Sequence, residues 1–166
     1  MTDPAAVALT VRDTLTRMPL AETYSDEQRD LQPAVQAALQ PALLRAFPDA
    51  SLQTIISVGG TDKPNLKLLG TSFWPDVAIT EVAVGLVAIE VKLIRAQQPA
   101  SKALAEAIGQ SLIYSIRYPR VFAFVVHYGR SDSRYHTEDA DLDKRLAPFN
   151  IELILRRQEP GVGPFA

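Results

Sequence analysis

A chain of 166 residues with 47% apolar and 22% charged side chains can bury one core of its own and is composed like an ordinary globular domain. It has no cysteine, which excludes disulfides, thiolate metal sites and a cysteine nucleophile. The formal net charge of −2 and a pI near 5.7 exclude a chain-wide basic surface, so any nucleic-acid contact has to be a local patch or come with a partner.

The N-terminus shows no basic start followed by a long apolar block, and the uncharged run Val82 to Ile89 is far too short to span a bilayer. The expectation is a cytoplasmic protein without membrane contact. "DPAAVALTVRDTLTRM" has helical spacing, with Asp3-Pro4 as its start signal. "SDEQRDLQPAVQAALQPALLRAF" reads as a second helix, with Ser25 or Asp26 as N-cap and acids in its first turn. Pro33 and Pro41 kink or break it if they fall inside. "SLQTIISV" is strand-like, and "GGTDKPNLKLLG" reads as a loop. "DVAIT" and "GLVAIEVKLI" are β-rich runs a hairpin apart. "SKALAEAIGQSLIYSIRY" is a long helix whose predicted apolar face is Leu104, Ile108, Leu112 and Ser115 or Ile116. "RVFAFVVHY" reads as a buried strand. The polar stretch after it predicts a short helix around Asp141 to Leu146, and "IELILRR" is the last strand. This order predicts one α/β domain over residues 1–166, a central mixed sheet flanked by helices, with its core about 25–156 and a loose tail at 157–166.

Charge in the strand "LVAIEVKLI" sets the functional question. Alternation puts Val87, Ile89, Val91 and Leu93 on one face and Ala88, Glu90, Lys92 and Ile94 on the other. Read alone, Glu90 and Lys92 are a solvated pair on a half-exposed strand. Asp76, however, follows a proline at the start of the preceding strand. If the two strands pair, its carboxylate lies close to that of Glu90. Converging carboxylates repel unless a cation sits between them. Mg²⁺ suits that need, because it takes one or two carboxylates and keeps several waters; Mn²⁺ can substitute. Lys92 on the same face can hold one of those waters or a phosphate oxygen. Gln110 and Tyr114, four apart on the following helix, share a flank that packs back over the sheet; a plain polar helix edge is the bland alternative.

Pro75-Asp76, Glu90-Val91-Lys92, a helix bearing Gln110 and Tyr114, and then the strand "RVFAFVVHY" resemble, as an ordered set, the PD-(D/E)XK nuclease superfamily. The resemblance covers roughly Ser25 to Arg156. It implies a restriction-endonuclease-like core and metal-dependent hydrolysis of phosphodiester bonds, in DNA rather than RNA. It also implies Asp76 and Glu90 as metal-binding carboxylates, the Val91 carbonyl as a third ligand and Lys92 as the catalytic lysine. Gln110 would approach the active site with Tyr114 in support. A further acid would come from the first core helix, Glu27 in preference to Asp30. A homodimer or a separate targeting subunit would choose the cutting site. The competing reading is a non-catalytic nucleic-acid-binding or protein-assembly module on the same fold.

Other features carry less. Arg95, Lys102, Arg117, Arg120, Lys63 and Lys67 read equally as phosphate contacts or as a solvated rim. His127 and His136, one at a strand end and one in a polar loop, read as structural. No G-x-S-x-G elbow and no P-loop occurs. Phe73 and Trp74 read as packing beneath the hairpin in preference to base stacking.

Overall fold

A computed structural model describes residues 1–56, 65–95, 98–129 and 136–158, with the backbone alone for 136–140. The chain runs through α1 (Pro4–Arg17), a π-helical turn (Glu27–Leu31), α2 (Gln32–Ala46), β1 (Leu52–Ile56), β2 (Leu66–Leu68), β3 (Thr71–Phe73), β4 (Val77–Glu81), β5 (Val84–Ile94), α3 (Ala100–Tyr114), β6 (Arg120–Tyr128), α4 (His136–Leu146), a 3₁₀ turn (Ala147–Phe149) and β7 (Ile151–Gln158). The five-stranded sheet has the order β1-β4-β5-β6-β7. β1, β4 and β5 pair antiparallel, and β5, β6 and β7 pair parallel, so the sheet is mixed.

The alternation read from β5 decides the layers. Val87, Ile89, Val91 and Leu93 enter one apolar cluster with Val7, Val11 and Leu15 of α1 and Val35, Leu39 and Leu43 of α2. Ala88 and Ile94 face the other way, toward Tyr114 and Ala107 of α3. Helices therefore cover both faces, and the middle strands read as near-continuous apolar runs because water reaches neither side. Among the described residues no helix is long and apolar enough to cross a membrane.

Several expectations change. The second helix is split: a π-helical turn precedes α2. Pro33 falls at the first residues of α2, where its missing N–H costs nothing, and Pro41 lies inside without ending the helix. Part of the expected loop is a hairpin, β2–β3, closed by Leu69 and Gly70 at positive φ. Its three-residue strands are too short to show alternation; Gly59 to Pro64 lie outside the described residues. α3 ends at Tyr114; its buried residues are Ala107, Ser111 and Tyr114, Leu104 and Ile108 of the expected face pack half-buried beside them, and Leu112 and Ile116 are exposed. Small residues at 107 and 111 let the helix settle close to the sheet. α4 starts earlier than expected, at His136, and the expected tail beyond Gln158 lies outside the described residues.

The β4–β5 offset positions the site. β4 begins at Val77, opposite Ile89, so β5 runs on past it. From Glu90 onward, β5 has no β4 neighbour on that side.

Candidate active site

The uncovered edge of β5 is closed by two carboxylates. Val91 donates its amide to Asp76 Oδ2 at 2.8 Å, and Leu93 donates to Glu27 Oε2 at 2.9 Å. Alternate residues of a strand present N–H and C=O to the same side, so the Val91 carbonyl faces Asp76 as well. Lys92 lies between them in sequence, its side chain on the α3 face. Its Nζ is 3.0 Å from Glu90 Oε1 and 3.4 Å from Glu27 Oε1.

Glu90 is the most enclosed acid of the group, 1% exposed. Burial, then the neighbouring Asp76, push its carboxyl up to about 8; Lys92 pulls the other way and loses. Asp76 is raised too, chiefly by burial, although the Val91 amide and Lys92 oppose this, and a hydrogen bond joins the two carboxyls. Burial works against the charge on Lys92, but Glu90, Glu27 and Asp76 together outweigh it and hold its pKa above the usual lysine value. The centre is a pair of touching carboxyls with a firmly protonated ammonium beside them.

Tyr114 completes one wall. Its hydroxyl donates to the Trp74 carbonyl at 2.7 Å and is also hydrogen-bonded to Glu90; burial and the two acids raise its pKa. The phenol thus ties the residue two before Asp76 to the carboxyl beside it. The π-helical turn holds Glu27 in place. Asp26 accepts from the Arg29 amide at 2.7 Å, and Asp30 accepts from the Ser25 and Asp26 amides at 2.9 Å. This reciprocal capping gives the two acids different partners. Asp30 turns back onto its own helix start, and Glu27 is the acid that reaches β5.

The structure brings together Asp76, Glu90, Val91, Lys92, Glu27 and Tyr114. Gln110 lies one turn before Tyr114 with its Oε1 buried and without a protein donor, and no described hydrogen bond joins it to the acids. Among the described residues no three His, Cys, Asp or Glu side chains converge as a metal-holding group, and Glu27 is engaged by Lys92 and Leu93. Asp76, Glu90 and the Val91 carbonyl offer two carboxyls and one carbonyl, a donor set whose chemistry fits a hard divalent cation that keeps most of its waters.

Sequence reasoning missed two features. The Leu93 amide as the anchor of Glu27 depends on the β4–β5 offset, which no local motif reports. Trp74 is 41% exposed rather than packed beneath the hairpin, whereas Phe73 does join the core beside Tyr114. The expected cation cluster is divided. Arg95 donates to the Ser25 carbonyl, Lys102 pairs with Glu106 at 3.9 Å in solvent, and Arg120 sits at the far end of the sheet on Asn150. Arg117 and Lys67 are exposed. Lys63 and the side chain of His136 lie outside the described residues. His127 is half-buried, and burial and Arg157 lower its pKa, so it stays neutral. Comparison with protein-family models, with curated proteins and with solved structures returns no match.

Proposed function

We propose that this chain is a Mg²⁺-dependent nuclease on a restriction-endonuclease-like core, hydrolysing phosphodiester bonds in DNA. The observation that carries the reading is the Asp76–Glu90 carboxyl pair at an uncovered strand edge, Glu90 buried and Asp76 half-buried, with Lys92 Nζ 3.0 Å from Glu90. Capping Val91 requires one acceptor, and Asp76 supplies it. Nothing in the packing requires a second acid beside it, and that acid is costly to bury. Perturbed acids of this kind mark functional sites.

Asp76, Glu90 and the Val91 carbonyl would hold the cation. When bound, it polarises a phosphate oxygen and lowers the pKa of a coordinated water. Lys92 stays protonated, so its part is to donate to a phosphate oxygen and offset charge rather than to accept a proton. Glu27 keeps the Lys92 ammonium at the site through their contact at 3.4 Å. Tyr114 fixes the Glu90 carboxyl and the approach of the chain to Asp76.

One observation favours the non-catalytic reading: Lys92 already bridges Glu90 and Glu27, which matches charge internally without a metal. A cleavage assay on single-stranded, duplex and branched DNA and on RNA, with Mg²⁺ or Mn²⁺, separates the two. The nuclease reading expects cleavage that Asp76→Ala and Lys92→Ala each lower by at least 100-fold, the scale of losing one charge-stabilising group. Intact substrates under every condition would favour the binding module.

A further inference from the structure

Trp74 is the one tryptophan of the chain, and it is 41% exposed two residues before Asp76. An indole left partly open can take a stacked ring on its exposed face. Its backbone is not loose: Tyr114 holds its carbonyl at 2.7 Å, and the same hydroxyl contacts Glu90. Residues on both sides are fixed as well, Phe73 in the core and Pro75 buried. The backbone that carries the indole is therefore held at a set position two residues before Asp76.

The β2–β3 hairpin extends this surface. Phe73 of β3 packs toward Tyr114, and the cross-strand partner of Ser72 is the exposed Lys67. Lys67, across the hairpin from Ser72, and Trp74, two residues further along the chain, thus place a cation and an aromatic side chain on one short wing. At the hairpin tip Leu69 is fully exposed at a φ of 49°, where Asn or Gly is the usual occupant. Val82 shares that conformation in the β4–β5 turn, so turn strain alone does not mark the spot; the exposed indole on a held backbone does.

We infer that Trp74 stacks on a base that is out of the duplex, next to the phosphodiester that Asp76 and Glu90 address, with Lys67 on the adjoining phosphate. The inference rests on the nuclease reading for its ligand. It specifies the substrate class as single-stranded or locally opened DNA. A base inside a continuous duplex has both faces taken by its neighbours and leaves none for the indole. Stacking on a side chain is available to every base, so the site selects by strand state and not by sequence.

Because the tryptophan is single, its own fluorescence reports the contact. The full chain is titrated with a single-stranded oligonucleotide in EDTA, so that no strand is cut, and binding is followed in parallel by anisotropy of a labelled strand. The expected result is quenching that saturates with binding, is lost with an abasic strand of equal length and is weak with a blunt duplex. Trp74→Ala weakens single-strand binding by about 5- to 100-fold, and Trp74→Phe keeps most of it. Binding without quenching, quenching equal with the abasic strand, or unchanged affinity in Trp74→Ala overturns the inference. The metal-dependent cleavage assay runs beside it. Cleavage without quenching defeats the stacking alone, and quenching without cleavage on any substrate leaves the stacking standing and defeats the nuclease reading alone.

Discussion

Glu90 lies enclosed between Asp76 and Lys92, and its carboxyl is raised to about 8 against an ordinary 4.5. A carboxyl raised by folding stabilises the protein fully below the unfolded value. That contribution fades as pH climbs through the window from about 4.5 to about 8, at about 1.4 kcal/mol per pH unit at most, and is constant above it. Glu90→Gln keeps the shape and removes the titration. Its melting temperature should therefore exceed that of the wild type at pH 8.5 and match it near pH 4.5, as differential scanning calorimetry across this range would record. Equal curves at both ends would mean that Glu90 is not desolvated. Tyr114→Phe removes one hydroxyl that serves Trp74 and Glu90. It should cost about 1 kcal/mol in urea denaturation and lower cleavage without abolishing it. At this scale the sequence was informative: Asp76, Glu90, Lys92 and Tyr114 meet because strand and helix periods put them on meeting faces. Gln110 was legible as a flank residue only, since one helical turn separates it from the hydroxyl that makes contact.

Strand ends and helix starts place these residues. β4 begins one residue after Asp76, which leaves the Val91 and Leu93 amides of β5 to the two carboxylates. Asp26 and Asp30 lock the turn that carries Glu27, so Asp26→Ala should cost about 1 kcal/mol of stability and weaken the Lys92–Glu27 contact without removing cation uptake. At the sheet edge, Gln36 Nε2 donates to the Thr54 carbonyl at 2.7 Å, and Gln40 Oε1 accepts from the Thr54 amide at 3.0 Å. Two amides one helical turn apart on α2 thus imitate a neighbouring strand and cap β1 against pairing with another chain. Gln36→Ala with Gln40→Ala should lose about 2 kcal/mol and shift the protein toward larger species in size-exclusion chromatography. Element types followed from periodicity, but joints did not. The split at Gln32, the β2–β3 hairpin and the end of α3 depend on tertiary packing. Tyr118 occupying the space of a Cβ at Gly85 is one such contact, since the pairing of that glycine with an aromatic 33 positions on leaves no local signal.

The whole molecule is an α/β domain whose mixed central sheet flanked by helices was expected from the order of its elements, whereas the antiparallel-to-parallel switch at β5 appears only in the structure. The depth of the site was not expected, because it arises where a short strand stops beside a long one. The sheet buries Glu90 and half-buries Asp76, and that partial enclosure is the basis for proposing a cation there. Isothermal titration of Mg²⁺ or Mn²⁺ into the full chain, in buffers of different ionisation enthalpy, tests this most directly. The account predicts saturable uptake of one cation that releases about one proton at pH 7, because the raised carboxyl must ionise, and less release as pH passes 8. It also predicts that Asp76→Asn and Glu90→Gln each abolish this uptake. No uptake by the wild type, or uptake that survives both substitutions, would contradict it.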